Sequence, residues 1–209
     1  MKGVAKGAWL LPKIFWDETQ DIPTAIHNGV KVTTKSFGKG VQALQEALAK
    51  QLAAVLFLSV ADIGALNLSG LTELIGNCDP GESFVTFNPR LFQDLSCRLL
   101  KSIRKSCPEF NYRQWFEAVD GLVKPLVTLI HLAGGMPGRS TEYVPLLSRN
   151  DGAYQQRSVF LVMGRLCFVF AYNKAQSQSS KHRVIPRFLD SVSSRLWAWY
   201  LGVIQPMYW

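Results

Sequence analysis

Two cations stand in places that suit phosphate chemistry. Arg139 follows Gly134-Gly135-Met136-Pro137-Gly138, a turn that glycine and proline would hold in place. Its guanidinium presents a rigid fork suited to two phosphate oxygens. Glu142, three residues on, lies one helical turn away and could orient that arginine. Lys174 ends the run Tyr172-Asn173-Lys174 behind an apolar stretch. An ammonium at a hairpin tip could reach into a groove and protonate a leaving oxygen. Each residue also has a plainer reading. Arg139–Glu142 can be a structural ion pair, and Lys174 a solvated turn residue.

Other chemistries have little to work with. The chain contains no Gly-x4-Gly-Lys-Ser/Thr loop, no Gly-x-Ser-x-Gly elbow and no His-Glu-x-x-His. Its carboxylates are sparse and scattered, which argues against a two-metal nuclease. Cys78, Cys97, Cys107 and Cys167 form no Cys-x-x-Cys pair and have no clustered histidines, so zinc and a disulfide scaffold are not expected. Reduced thiols inside a cell are the default. The N-terminal apolar patch Ala8–Leu11 is too short for a signal peptide, and Leu52–Val60 is too short to span a bilayer. Neither a membrane nor a small-molecule cofactor is therefore expected.

Charge separates the two halves. Residues 1–100 carry nine basic and nine acidic side chains, whereas residues 101–209 carry fourteen and six, so the whole net charge of +8 lies in the second half. A localised positive field attracts polyanions, nucleic acid foremost. A merely soluble basic surface is the competing reading.

The elements that would position these residues are mostly helical. Residues 1–37 show no clear period and read as a poorly ordered arm. From Gly40 onward Val41, Leu44, Leu48, Leu52 and Val55 recur at helical spacing. Asn88-Pro89 marks a second helix start, with Leu91, Phe92, Leu95, Leu99 and Ile103 on one face. Arg98, Lys101, Arg104 and Lys105 lie largely off that face, as either a DNA-facing surface or a solvated one. A third helix begins near Asn111, should kink or split at Pro125, and stops at Gly134-Gly135. His131, alone in an apolar run, reads as a core histidine. Ser140–Leu147 suggests a short helix. Ser158–Met163 and Leu166–Tyr172 flank Gly164-Arg165 as a β-hairpin, with a third strand over His182–Ile185. Asp190 can cap a last helix.

Taken in order, these elements resemble the catalytic domain of the tyrosine recombinase (phage integrase) family. That family shows an apolar helix, a glycine-rich turn, Arg-x-x-Glu, a β-hairpin with a lysine, Arg-x-Val/Ile-Pro and an amphipathic helix. Here they correspond to Leu126–Gly135, Arg139-Ser140-Thr141-Glu142, Val159–Tyr172, Lys174, Arg183-Val184-Ile185-Pro186 and Ser191–Gly202. A narrower similarity, to fungal helicase-associated and Crypton-like mobile-element proteins, rests on Tyr172-Asn173-Lys174, Ile185-Pro186-Arg187-Phe188-Leu189 and Tyr200-Leu201 before Pro206.

The resemblance implies a helical core-binding-like domain over 38–107 and an incomplete α+β catalytic domain over 108–209, mainly α with a small antiparallel sheet. It implies that Arg139 stabilises a phosphorane, that Lys174 is the general acid, and that Glu142 supports the arginine. Lys101, Arg104, Lys105, Lys181, Arg183 and Arg187 would then meet duplex DNA. Implied partners are duplex DNA and further recombinase subunits, in a nuclear setting, with no cofactor or metal. The family's His-x-x-Arg has no match, since Ile185 stands three residues after His182. Tyr200 and Tyr208 come too early to be the nucleophile, and Tyr143 stands where the family has Leu or Ile. The expectation is a fragment that binds DNA and does not cleave it alone. The alternative is a non-enzymatic module that meets a protein or RNA through a basic face, with Trp197, Trp199, Met207, Tyr208 and Trp209 as an exposed aromatic end.

Overall fold

The computed structural model describes residues 14–17, 24–27, 30–106, 110–135, 143–152, 156–170 and 184–208. Two compact units divide the chain, Met1–Ala43 and Leu44–Trp209. The mainly α class with small antiparallel sheets holds.

The first unit contains three strands where the sequence shows no period. β1 (Ile14–Asp17), β2 (Thr24–His27) and β3 (Val30–Thr33) form an antiparallel meander. Thr24 pairs with Asp17 on one side and Thr33 on the other. Thr33 and Ser36 then cap each other reciprocally. The Ser36 N–H donates to Thr33 Oγ1 at 3.0 Å and the Thr33 N–H to Ser36 Oγ at 3.1 Å. This is the side-chain-to-backbone exchange that starts a helix, and α1 (Thr34–Leu56) begins there.

The second unit is built on helices whose ends are well marked. α2 (Val60–Gly64) starts from a Ser59–Asp62 capping box. α3 (Pro89–Ser106) begins with proline at its first position, as expected. The Asn88 side chain is engaged elsewhere, accepting from the Thr72 N–H and donating to Thr72 O and Phe84 O. α4 (Tyr112–Ala133) is capped by Asn111 and runs unbroken through Pro125. Of the expected kink or split, the split is absent. Proline removes one hydrogen bond and crowds the carbonyl four residues back, which here belongs to the side-chain-free Gly121. The stop at Gly134 and Gly135 is as expected, with Gly135 at φ +97°.

β4 (Val159–Val162) and β5 (Arg165–Phe170) form the expected hairpin. Its turn residues Met163 and Gly164 both have positive φ, the signature of the tight turns that suit strand twist. β6 (Ile185–Phe188) pairs with β5 three residues later than expected. Pro186 is tolerated because β6 is an edge strand. Asp190 caps α5 (Ser191–Trp199), accepting from the Val192 and Ser193 N–H groups, and a π-helical turn (Tyr200–Ile204) and a 3₁₀ turn (Gln205–Tyr208) follow.

Long-range bonds explain why residues 44–106 and 110–208 form one unit. The Trp115 indole donates to Val55 O at 2.9 Å, Trp197 to Leu126 O at 3.0 Å and Trp199 to Ile63 O at 3.1 Å. Val55 and Ile63 lie in last helical turns, whose carbonyls lack helical partners. Gln45 Nε2 donates to both Asp190 oxygens and to Ser193 Oγ. The apolar core between them includes Leu48, Leu52, Phe84, Leu122, Leu126 and Phe168, all at most 1% exposed.

Candidate nucleic-acid interface

α3 presents a buried stripe and a charged back. Phe92, Leu99 and Ile103 are buried, while Arg98, Lys101, Arg104 and Lys105 are exposed. At 100° per residue the four cations cover about a third of the helix circumference. Asp94 is the one carboxylate on that face, and exposed Arg90 offsets it. None of these cations forms an ion pair among the described residues; the two ion pairs there are Arg113–Glu117 and Arg157–Glu73. Arg98 is felt at a distance by Asp62. That carboxyl is held below its ordinary value first by its hydrogen bonds to Ser59 and, more weakly, by the Arg98 charge.

The other sequence-derived site residues divide sharply. Arg139, Glu142, Lys174, Lys181 and Arg183 lie outside the described residues. Arg187, expected on the DNA-facing surface, is 4% exposed, with its guanidinium 4.6 Å from the Phe170 ring centroid. β6 turns Arg187 inward opposite Phe168 and leaves Phe188 47% exposed, the reverse of what polarity suggests.

Four further readings are corrected or sharpened. His131 is exposed rather than in the core, at the last turn of α4, with Nδ1 3.3 Å from Tyr143 Oη. Tyr143 is half-buried edge-on to Phe170 at 5.2 Å, so an aromatic packs well there. Trp197 and Trp199, expected on an exposed aromatic end, are 7% and 3% exposed and hydrogen-bonded. Tyr200, unsuited to be a nucleophile by its position, packs edge-on to Trp197 at 5.9 Å. Burial, and then the Asp120 charge, push its hydroxyl above its ordinary value.

Sequence reasoning missed Arg157 and Glu73. Their side chains are 0% and 6% exposed, and Nη2 donates to Glu73 Oε1 at 2.7 Å. No periodic signal marks either residue, because both serve an irregular segment, residues 65–88, rather than a helix or strand face. Among the described residues no three His, Cys, Asp or Glu side chains converge as metal ligands, and no helix is long and apolar enough to cross a membrane. No protein-family model matches the chain, and no solved structure matches it.

Proposed function

We propose that this chain is a duplex-DNA-binding module of tyrosine-recombinase type. The observation that carries the reading is the exposed, carboxylate-poor cationic back of α3, on which Lys101, Arg104 and Lys105 lie together. No ion pair engages these charges among the described residues, and Arg104 and Lys105 also lie in the last turn of α3, where cations suit the helix dipole. The order of elements supports the same reading. An apolar helix ends at a double glycine, a hairpin and a proline-bearing strand follow, and a capped helix comes last. By the resemblance, Arg139, supported by Glu142, and Lys174 handle the phosphate. Lys181 and Arg183 hold the adjoining backbone, without metal or cofactor.

The alternative, a non-enzymatic module that meets a protein or RNA through a basic face, keeps less of its motivation because Trp197 and Trp199 are buried. The test is a titration of labelled duplex at low salt. Binding that falls steeply with salt is expected, since each neutralised phosphate releases counterions. Absence of affinity for duplex at low salt would end the proposal.

A further inference from the structure

A second cationic feature lies away from α3. A cleft of about 210 Å³ opens between the segment Gly64–Ser69, the hairpin turn at Gly164, and Ser191 and Arg195 of α5. Its walls are fixed. The Leu166 N–H donates to Ser194 Oγ at 3.0 Å, which joins β5 to α5. Gly164 lies so close to Ser69 that an added Cβ would stand 2.9 Å from Ser69 Oγ and 3.0 Å from Ser69 Cα. Its φ of +72° also favours glycine.

The lining is rich in donors and holds no carboxylate. Arg195 is half-buried and forms no ion pair among the described residues. The nearest acid in sequence, Asp190, is occupied by the Val192 and Ser193 N–H groups, Gln45 Nε2 and Ser193 Oγ. Asn67 Oδ1 accepts from the Ser69 N–H, which leaves the Asn67 amide nitrogen as a donor. The hydroxyls of Ser69 and Ser191 add two more donors. A half-buried guanidinium with no carboxylate partner among the described residues suits a tetrahedral oxyanion.

We propose that this cleft binds a phosphate group, held by the Arg195 fork and the Ser69 and Ser191 hydroxyls. The chemistry is the same for a free phosphate and for one phosphate of a nucleic-acid backbone. The site stands on its own lining, independently of the α3 face.

The test uses the full chain with inorganic phosphate and a labelled duplex as separate probes, and with chloride at matched ionic strength as control. Millimolar phosphate should raise the melting temperature of the wild type beyond chloride, and Arg195→Gln should abolish that rise. Arg195→Lys, keeping charge without the fork, should retain part of it. If the backbone of DNA is the natural source, Arg195→Gln also lowers duplex affinity about tenfold and the salt slope by about one. If duplex binding is unchanged while the phosphate response is lost, the site serves free phosphate. A wild type that responds to phosphate no more than to chloride, or an Arg195→Gln variant that responds equally, overturns the site. Should Arg195→Gln fail to fold, the double variant Ser69→Ala/Ser191→Ala reads the same response through two exposed side chains. Duplex binding that persists while phosphate has no effect beyond chloride sinks this site and leaves the α3 proposal intact.

Discussion

Arg157 and the cations of α3 are the same chemistry in opposite circumstances. Arg157 is 2% exposed and donates to Glu73 at 2.7 Å, to Leu74 O at 2.7 Å, and to Asn77 O and Asn150 Oδ1 at 3.1 Å. Phe87 and Phe160 lie against it, with ring centroids at 5.5 and 4.9 Å. It holds carbonyls of an irregular segment that no helix or sheet would satisfy. Arg98, Lys101, Arg104 and Lys105 face solvent and have no such partners among the described residues. A buried arginine paired with acceptors belongs to the fold, whereas exposed cations without ion pairs remain available to a ligand. Counting basic residues in the second half of the chain cannot separate the two kinds.

The contrast breaks most visibly at Arg157. Arg157→Met should destabilise the protein by about 3–5 kcal/mol, because Glu73 is left as an unpaired buried charge. Urea denaturation would read it, and a loss under about 1 kcal/mol would mean that the pair is not structural. The triple variant Lys101→Gln/Arg104→Gln/Lys105→Gln should do the converse. Its stability should change by less than about 1 kcal/mol, while duplex affinity at low salt falls about 100-fold, ~2.7 kcal/mol, and the salt slope drops by about three. Gly202→Ala probes the packing that holds α3 in place. An added Cβ would stand 2.2 Å from the Phe92 ring, so a loss of about 1–3 kcal/mol is expected by thermal denaturation. Met163→Asn should stabilise by about 0.5–1 kcal/mol, since Met163 is held at φ +50° in the hairpin turn, where asparagine before glycine is favoured.

The smallest effect is an alkaline one. Burial raises Tyr200 above its ordinary value of 10.0, with the Asp120 charge adding to the shift, and burial raises Cys167 above 9.0. As pH climbs past those ordinary values the unfolded chain loses these protons first. The stability contributed by the neutral side chains is therefore complete below about pH 9 and declines as pH rises through the folded values. Tyr200→Phe should flatten that decline in chemical denaturation series between pH 8 and about pH 11; an unchanged profile would remove Tyr200 as a source.

Much of the second unit was legible because local signals agree with it. Asn88-Pro89, Asn111, Gly134-Gly135, Gly164 and Asp190 each mark a boundary that the structure keeps. The meander of the first unit was not, since strands of four residues carry too little alternation. The pair Asn28-Gly29 between β2 and β3 was the usable hint. Arg187 illustrates a different failure. Strand alternation was set by the β5 pairing rather than by polarity, and it carried the arginine inward while Phe188 faces out. The Gln45–Asp190 and Arg157–Glu73 contacts join residues 145 and 84 positions apart, which no local pattern encodes. Of the candidate site, the α3 face was legible as amphipathicity. The Arg195 cleft was not, because it exists only where α5, the hairpin turn and residues 64–69 meet.

The exposed cations of α3 are proposed to bind a duplex backbone. Fluorescence anisotropy of a labelled duplex, titrated with wild type and with the Lys101/Arg104/Lys105→Gln variant at several salt concentrations, tests it most directly. Tight binding at low salt with a steep negative slope of log K on log salt is expected, with a slope shallower by about three in the variant. Wild-type protein with no affinity at low salt, or a variant with the same slope as wild type, would contradict it.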